Sequence, residues 1–118
     1  MSRINDLFAK KQSDILNIYF TAGYPEKDSA TTIIKALAEA GADLIEIGMP
    51  YSDPLADGPT IQESGSQAIQ NGMTLPHLFE QLEAVRPQVD LPLILMGYLN
   101  QVMQYGSDQF LAACQRVG

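Results

Sequence analysis

The feature that most constrains the fold is a regular alternation of two patterns. Short apolar runs with strand character are each followed by a segment of helical periodicity. We predict a short opening helix and then three strand-helix units, with strands over residues 14–21, 42–48 and 91–96. Because parallel strands are joined by helical crossovers, this alternation predicts an α/β fold with a parallel sheet.

The ends of the predicted helices follow from capping and stop signals. Gly41 is expected to end the helix over residues 30–40 in a left-handed conformation. The helix that begins at Leu75 is expected to end near Pro87. The predicted N-terminal caps are, in chain order, Asp28 or Ser29, Thr60 with Glu63 as a capping box, Thr74, and Ser107 or Asp108.

Charge and composition exclude several classes of function. The chain has 7 Lys and Arg against 14 Asp and Glu, a net charge of −7, and no basic cluster. We therefore expect neither nucleic acid nor an anionic membrane as a partner. Cys114 is the single cysteine, is expected to be a small core residue, and no Cys/His spacing suits a metal. With no signal peptide in residues 1–17, the protein is expected in the cytoplasm.

Glu46 is the one charged residue in the otherwise apolar second strand. An unpaired carboxylate in a dry interior costs several kcal/mol, so its presence needs a reason. Glu46 could reach solvent at the strand end or form a buried ion pair. It also lies two residues before Gly48, where the strand ends, and parallel α/β folds bind ligands at that edge of the sheet. Glu46 is therefore a candidate acid or base.

The loop over residues 49–59 is long and contains three prolines. Asp57 lies in this loop, 11 positions after Glu46, and could fold back over the same strand end. Its aspartates could instead make only local turns, as Asp commonly does before Pro or Gly. Two carboxylates in different surroundings are able to divide acid and base roles between them.

The run EIG at residues 46–48 is followed by PYSDPLADGPTIQ at residues 50–62. These two runs resemble the signature of tryptophan synthase alpha subunits. Two further runs agree with the family pattern, namely YFTAGYP at residues 19–25 and MGYLN at residues 96–100. The sequence departs from the pattern at Tyr51, where Phe is frequent, and at Gly97, where a larger residue is common.

The resemblance implies an eight-stranded (β/α)8 TIM barrel of roughly 250 residues. Residues 1–118 would then form the amino-terminal portion of one barrel domain, truncated before strand four. Such an open remnant would expose sheet edges and apolar helix faces. A complete flavodoxin-like domain is an alternative of similar size, but it needs more strands than the sequence offers.

The resemblance also implies a reaction, the retro-aldol cleavage of indole-3-glycerol phosphate to indole and glyceraldehyde 3-phosphate. Glu46 would move the protons, and Asp57 would stabilise the positive charge that develops at the ring nitrogen. Tyr19 and Tyr98 would line the slot for the indole ring. No metal or organic cofactor is expected in this chain.

The family works with a beta subunit that holds pyridoxal phosphate, which implies an alpha2beta2 heterotetramer. Asp53 is the candidate for pairing with a basic residue of that subunit, although it could equally cap its own turn. Barrels of this type commonly hold phosphate after strands seven and eight, so these 118 residues alone are expected to be inactive. A non-catalytic assembly module and another barrel lyase or isomerase remain alternatives. His77 is expected on an exposed first turn and receives no role.

Overall fold

The computed structural model describes residues 2–118 and contains a parallel three-stranded sheet. Its strands, adjacent in chain order, are β1 (Asn17–Thr21), β2 (Leu44–Gly48) and β3 (Leu93–Met96). The helices are α1 (Arg3–Lys10), α2 (Ser29–Ala40), α3 (Pro59–Gln70), α4 (Leu75–Val85), α5 (Leu99–Tyr105) and α6 (Ser107–Val117). A 3₁₀ turn over Arg86–Gln88 follows α4. The predicted α/β class with a parallel sheet is confirmed.

The two faces of the sheet have different environments. In the register, Tyr19 of β1 and Ile94 of β3 are both partners of Glu46 in β2. Because side chains alternate between the faces of a strand, these three share one face. The opposite face belongs to the apolar core and carries Phe20, Ile45, Ile47, Leu93 and Leu95. The core therefore lies on this apolar face, whereas Tyr19, Glu46 and Ile94 of the other face are only half-buried.

The core lies between the apolar face of the sheet and the helices. Ile34, Ile45 and Ile47 are fully buried. Phe79 of α4 lies against Phe110 of α6, edge to face, with their ring centroids 5.7 Å apart. Full burial of a side chain of this kind contributes about 1.5–3 kcal/mol, so this layer fixes the sheet against the helices.

Two helix-end predictions are confirmed. Gly41 closes α2 with φ of 97°, a left-handed conformation that glycine adopts without steric cost. The Thr74 side chain caps α4 by accepting a hydrogen bond from the backbone N–H of His77. Asp28 occupies the N-cap position of α2, but its side chain makes no capping hydrogen bond.

Two other cap predictions are wrong. Helix α3 begins at Pro59 with Gly58 as its N-cap, so Thr60 lies inside the first turn and forms no capping box with Glu63. Pro59 fixes this start because its ring presets a helical φ and its missing N–H is not needed at the first helical position. Helix α6 has Gly106 as its N-cap, and neither Ser107 nor Asp108 caps it.

Polar contacts tie the outer elements together. Arg86 donates from its guanidinium to the backbone oxygens of Val89, Leu91, Val117 and Gly118. Lys11, just after α1, forms a salt bridge with Asp43. Among residues 2–118, no helix is both long enough and apolar enough to cross a membrane.

Candidate active site

A cavity of about 350 Å³ lies at the carboxyl ends of the three strands. It is lined by residues from all three strands or the segments that follow them, and by the loop between β2 and α3. The lining includes Tyr19, Thr21, Gly48, Asp57, Gly97 and Tyr98. The structure therefore brings three of the five predicted site residues, Tyr19, Asp57 and Tyr98, to one cavity.

The Tyr19 ring lies across Gly48 of the neighbouring strand. A Cβ at Gly48 would collide with the Tyr19 hydroxyl and lie 2.6 Å from its ring carbon Cζ. Only glycine leaves room for the ring in this position. Gly48 is thus part of the site because its missing side chain determines where Tyr19 lies.

A chain of hydroxyl groups starts at Tyr19. The Tyr19 hydroxyl lies 3.3 Å from that of Thr21, which lies 2.8 Å from that of Ser64. Ser64 is also 3.1 Å from the backbone oxygen of Ile61, to which its hydroxyl is able to donate. The chain connects the Tyr19 ring to α3.

Glu46 lies on the same sheet face, but it is not among the residues that line the cavity. It is half-buried, and its Oε2 accepts a hydrogen bond from Nδ2 of Asn17 (2.8 Å). Within residues 2–118 it forms no salt bridge, so no buried ion pair explains its position. Asn17 was not predicted as a site residue, although its place two residues before Tyr19 puts it on the same face of β1.

Asp57 lines the cavity from the loop between β2 and α3. Its backbone is held on both sides, since its N–H donates to the Pro54 oxygen (3.1 Å) and its own oxygen accepts from Gln62 Nε2 (2.7 Å). Its carboxylate has no hydrogen-bond partner among the residues described. The backbone of Asp57 is therefore fixed while its charged group remains available.

Tyr98 both lines the cavity and holds the loop. Its hydroxyl oxygen accepts from the backbone N–H of Ala56 (2.9 Å). Its ring stacks on Tyr51, with centroids 5.0 Å apart and planes at 24°. Ala56 immediately precedes Asp57, so Tyr98 also helps to place the candidate catalytic residue.

Gln101 is a buried residue next to the site that the sequence analysis missed. Its Nε2 donates to the Pro50 oxygen (2.8 Å), and its Oε1 accepts from the Tyr98 backbone N–H (2.9 Å). A Cβ at Gly97 would lie 2.6 Å from this Oε1 and 2.5 Å from Cε of Met49. A side chain at position 97 would therefore have to displace both the Gln101 amide and the end of Met49.

The remaining predicted residues lie away from the cavity lining. Asp53 is exposed on the loop, and its carboxylate has no hydrogen-bond or salt-bridge partner in the part of the chain described. His77 is less exposed than expected, because its Nε2 lies 2.6 Å from Oδ1 of Asp28 and joins α4 to the start of α2.

Cys114 packs against the core, and burial raises the pKa of its thiol. No group of three or more His, Cys, Asp or Glu residues within 2–118 could hold a metal ion.

Comparison with known proteins identifies the family. Residues 6–118 match the profile of the family described as tryptophan synthase alpha chain. The chain belongs to this family. The resemblance seen in the sequence is confirmed.

Two tryptophan synthase alpha chains illustrate the match to relatives. The alpha chain of Phocaeicola vulgatus is 52% identical over 118 residues, and that of Flavobacterium psychrophilum is 55% identical over 120. Each alignment covers all of this chain and 46% of the relative. The chain thus spans about half the length of the curated relatives that it matches.

The crystal structure of tryptophan synthase subunit alpha from Legionella pneumophila superposes with a TM-score of 0.94 at 33% sequence identity. The superposed region includes all of this chain and 47% of the Legionella chain. A chain of the tryptophan synthase complex from Pyrococcus furiosus superposes with a TM-score of 0.82 at 41% sequence identity. That match includes 89% of this chain and 43% of the Pyrococcus chain. The fold is that of the amino-terminal part of the alpha-chain barrel, as predicted.

Proposed function

We propose that this chain supplies the first three strands and the two catalytic carboxylates of an alpha-chain active site. The reaction is the cleavage of indole-3-glycerol phosphate to indole and glyceraldehyde 3-phosphate. The observation that carries the proposal is the cavity at the strand ends, where Asp57, Tyr19 and Tyr98 meet beside the sheet face that bears Glu46. In this proposal, residues 1–118 are the amino-terminal portion of a single barrel domain.

Glu46 is the proposed acid and base. C3 of the indole first receives a proton while it is still bonded to the side chain, which places positive charge on the ring. The bond from C3 to the side chain then breaks, and its electron pair neutralises the ring. The hydroxyl group on the departing carbon loses a proton as the aldehyde forms. The hydrogen bond from Asn17 fixes one carboxylate oxygen of Glu46 and leaves the other, Oε1, for these transfers.

Asp57 is the proposed electrostatic partner of the indole nitrogen. When C3 takes up a proton, positive charge develops at the ring nitrogen, and a fixed carboxylate stabilises that charge without reorganising. The unpartnered carboxylate and the doubly anchored backbone of Asp57 suit this task. Tyr19 and Tyr98 provide flat walls on which an aromatic ring would pack.

The decisive experiment is Glu46→Gln in an alpha chain of the relatives' length that contains these residues. The amide keeps the shape and still accepts from Asn17, but it cannot act as a general base. Indole release from indole-3-glycerol phosphate should fall at least about 100-fold, the scale of general acid-base catalysis. Glu63→Gln is the matched control, because Glu63 is exposed on α3 and should leave the rate unchanged. Turnover by the Glu46 variant close to that of the parent would refute the assignment.

A beta subunit is the proposed partner, and the two subunits would form an alpha2beta2 heterotetramer in the cytoplasm. The beta subunit would hold pyridoxal phosphate. One similar solved structure is described as a tryptophan synthase complex. Asp53 is the proposed contact, since its exposed carboxylate is unpartnered within residues 2–118 and would pair with a basic residue.

Asp53→Ala should therefore reduce the acceleration of indole release that added beta subunit produces. It should leave the rate without that subunit nearly unchanged, because Asp53 lies outside the cavity lining. Asp108→Ala, which removes another exposed carboxylate, is the control. Equal acceleration of the Asp53 variant and the parent would show that Asp53 makes no such contact.

A further inference from the structure

Gln101 is the buried polar residue that joins α5 to the loop carrying Asp57. It is 8% exposed, and both ends of its amide are in use. The Nε2 group donates to the Pro50 oxygen at 2.8 Å and lies 3.4 Å from the Met49 oxygen. The Oε1 atom accepts from the backbone N–H of Tyr98. One side chain thus connects the first residues of the loop to the residue that precedes α5.

Tyr98 completes a second attachment to the same loop. Gln101 holds the backbone N–H of Tyr98, and the Tyr98 hydroxyl oxygen accepts from Ala56. The loop is consequently held at its start, through Pro50, and again one residue before Asp57. Both attachments pass through the short segment 98–101.

We propose that Gln101 is a positioning residue that places the Asp57 carboxylate for the cleavage reaction. The inference rests on the proposed function and adds a residue to it. Gln101 touches neither the substrate nor the reacting atoms. It acts by fixing the loop and Tyr98, which together determine where Asp57 lies.

The chemistry of the amide explains why glutamine suits this position. The side chain must donate to one backbone oxygen and accept from one backbone N–H, and a primary amide does both. Methionine has a similar length but neither group. An ionised glutamate accepts from Tyr98 but has no proton for Pro50. Because a misplacement of about 1 Å can cost up to 100-fold in rate, loss of these bonds should slow the reaction measurably.

The test uses Gln101→Met in an alpha chain of the relatives' length, with Gln104→Met as control. Gln104 lies on the same helix, is exposed and has no hydrogen bond to the loop. The Gln101 variant should lose roughly tenfold in kcat for indole release with little change in KM, because Asp57 acts on charge that develops in the transition state. Amide exchange at Ala56 should accelerate, while exchange at Ile45 in the core should not.

A double-mutant cycle separates positioning of Asp57 from general damage. In the Asp57→Asn background the same Gln101 change should have almost no further effect on kcat, since the residue on which it acts has already lost its charge. Should the methionine variant fail to fold, Gln101→Glu keeps the bond to Tyr98 and should show the same loss of kcat and of protection at Ala56.

Three results would overturn the inference. The first is a kcat of the Gln101 variant equal to that of the parent. The second is a roughly tenfold loss of kcat that persists in the Asp57→Asn background. The third is an unchanged rate of amide exchange at Ala56. If the parent protein itself released no indole, the proposed function would fail. The exchange measurement would still report whether Gln101 holds the loop, so the two failures are distinguishable.

Discussion

At the scale of single residues, the site depends on close contacts around two glycines. Gly48 has the Tyr19 ring directly above it, and Gly97 has the Gln101 amide and the Met49 side chain beside it. Sequence reasoning proposed Glu46 and Asp57 because carboxylates near a strand end carry a chemical signal, and the family resemblance added Tyr19 and Tyr98. It could not identify Asn17 or Gln101, whose roles arise from contacts across the sheet and between distant segments.

The contact between Gly48 and Tyr19 gives a prediction. Gly48→Ala places a methyl group where the Tyr19 ring lies, and overpacking of this kind costs about 1–3 kcal/mol. The same change in a Tyr19→Ala background should cost much less, because the colliding ring is gone. Urea unfolding of the four variants of the alpha chain measures the coupling. Equal costs in both backgrounds would mean that the ring is not what excludes a side chain at position 48.

At the scale of elements, the alternation of patterns predicted all three strands and their order along the chain. The observed strands begin two or three residues later than predicted, and local causes are visible for β1 and β3. Asp14 has φ of 58°, outside the extended region. Pro92 has no N–H to contribute to β3. Helix α5, with only seven residues, is too short for its apolar period to be recognised.

The junction between α1 and β2 predicts a dependence of stability on pH. The pKa of the Asp43 carboxyl is lowered from its usual value. The main cause is the hydrogen bond donated by the backbone N–H of Leu16, and the second is the hydrogen bond donated by Lys11. Because the folded state favours the charged form, this stabilisation is present above about pH 4 and is lost as pH falls through the lowered pKa.

Asp43→Asn should therefore lower the free energy of unfolding of the alpha chain at about pH 7. The difference between variant and parent should shrink at a second, acidic pH, as the carboxyl is protonated through its lowered pKa. Urea unfolding at the two pH values measures both differences. Asp53→Asn, at an exposed carboxylate with no partner in residues 2–118, should show neither effect. A constant difference across this range would contradict the role assigned to Asp43.

At the scale of the whole molecule, the three strands leave an open arrangement. Within residues 2–118, the outer edges of β1 and β3 have no strand partner, and Glu46 and its neighbours on the same sheet face are only half-buried. The cavity lining contains no Lys or Arg that could neutralise a phosphate group. These residues, about half the length of the family's chains, thus supply the proposed acid-base groups. They place no cationic side chain in the cavity to bind a phosphate group.

The 118-residue chain alone should consequently release no measurable indole from indole-3-glycerol phosphate. The half-buried sheet face cannot exclude water from the reacting atoms, and the substrate phosphate lacks a cationic partner in the cavity. A colorimetric indole assay, run beside an alpha chain of the relatives' length as positive control, measures this. Release at a comparable rate from the 118 residues would refute the need for further barrel strands.

The contact between Gly97 and Gln101 also couples evolutionary change at the two positions. A larger residue at 97 would meet the ends of two side chains, the Gln101 amide that is bound at both ends and Met49. Replacing Gln101 first loosens the loop, and replacing Gly97 first forces both side chains to move. The effect of a change at one position is therefore expected to depend on the residue at the other, which is epistasis.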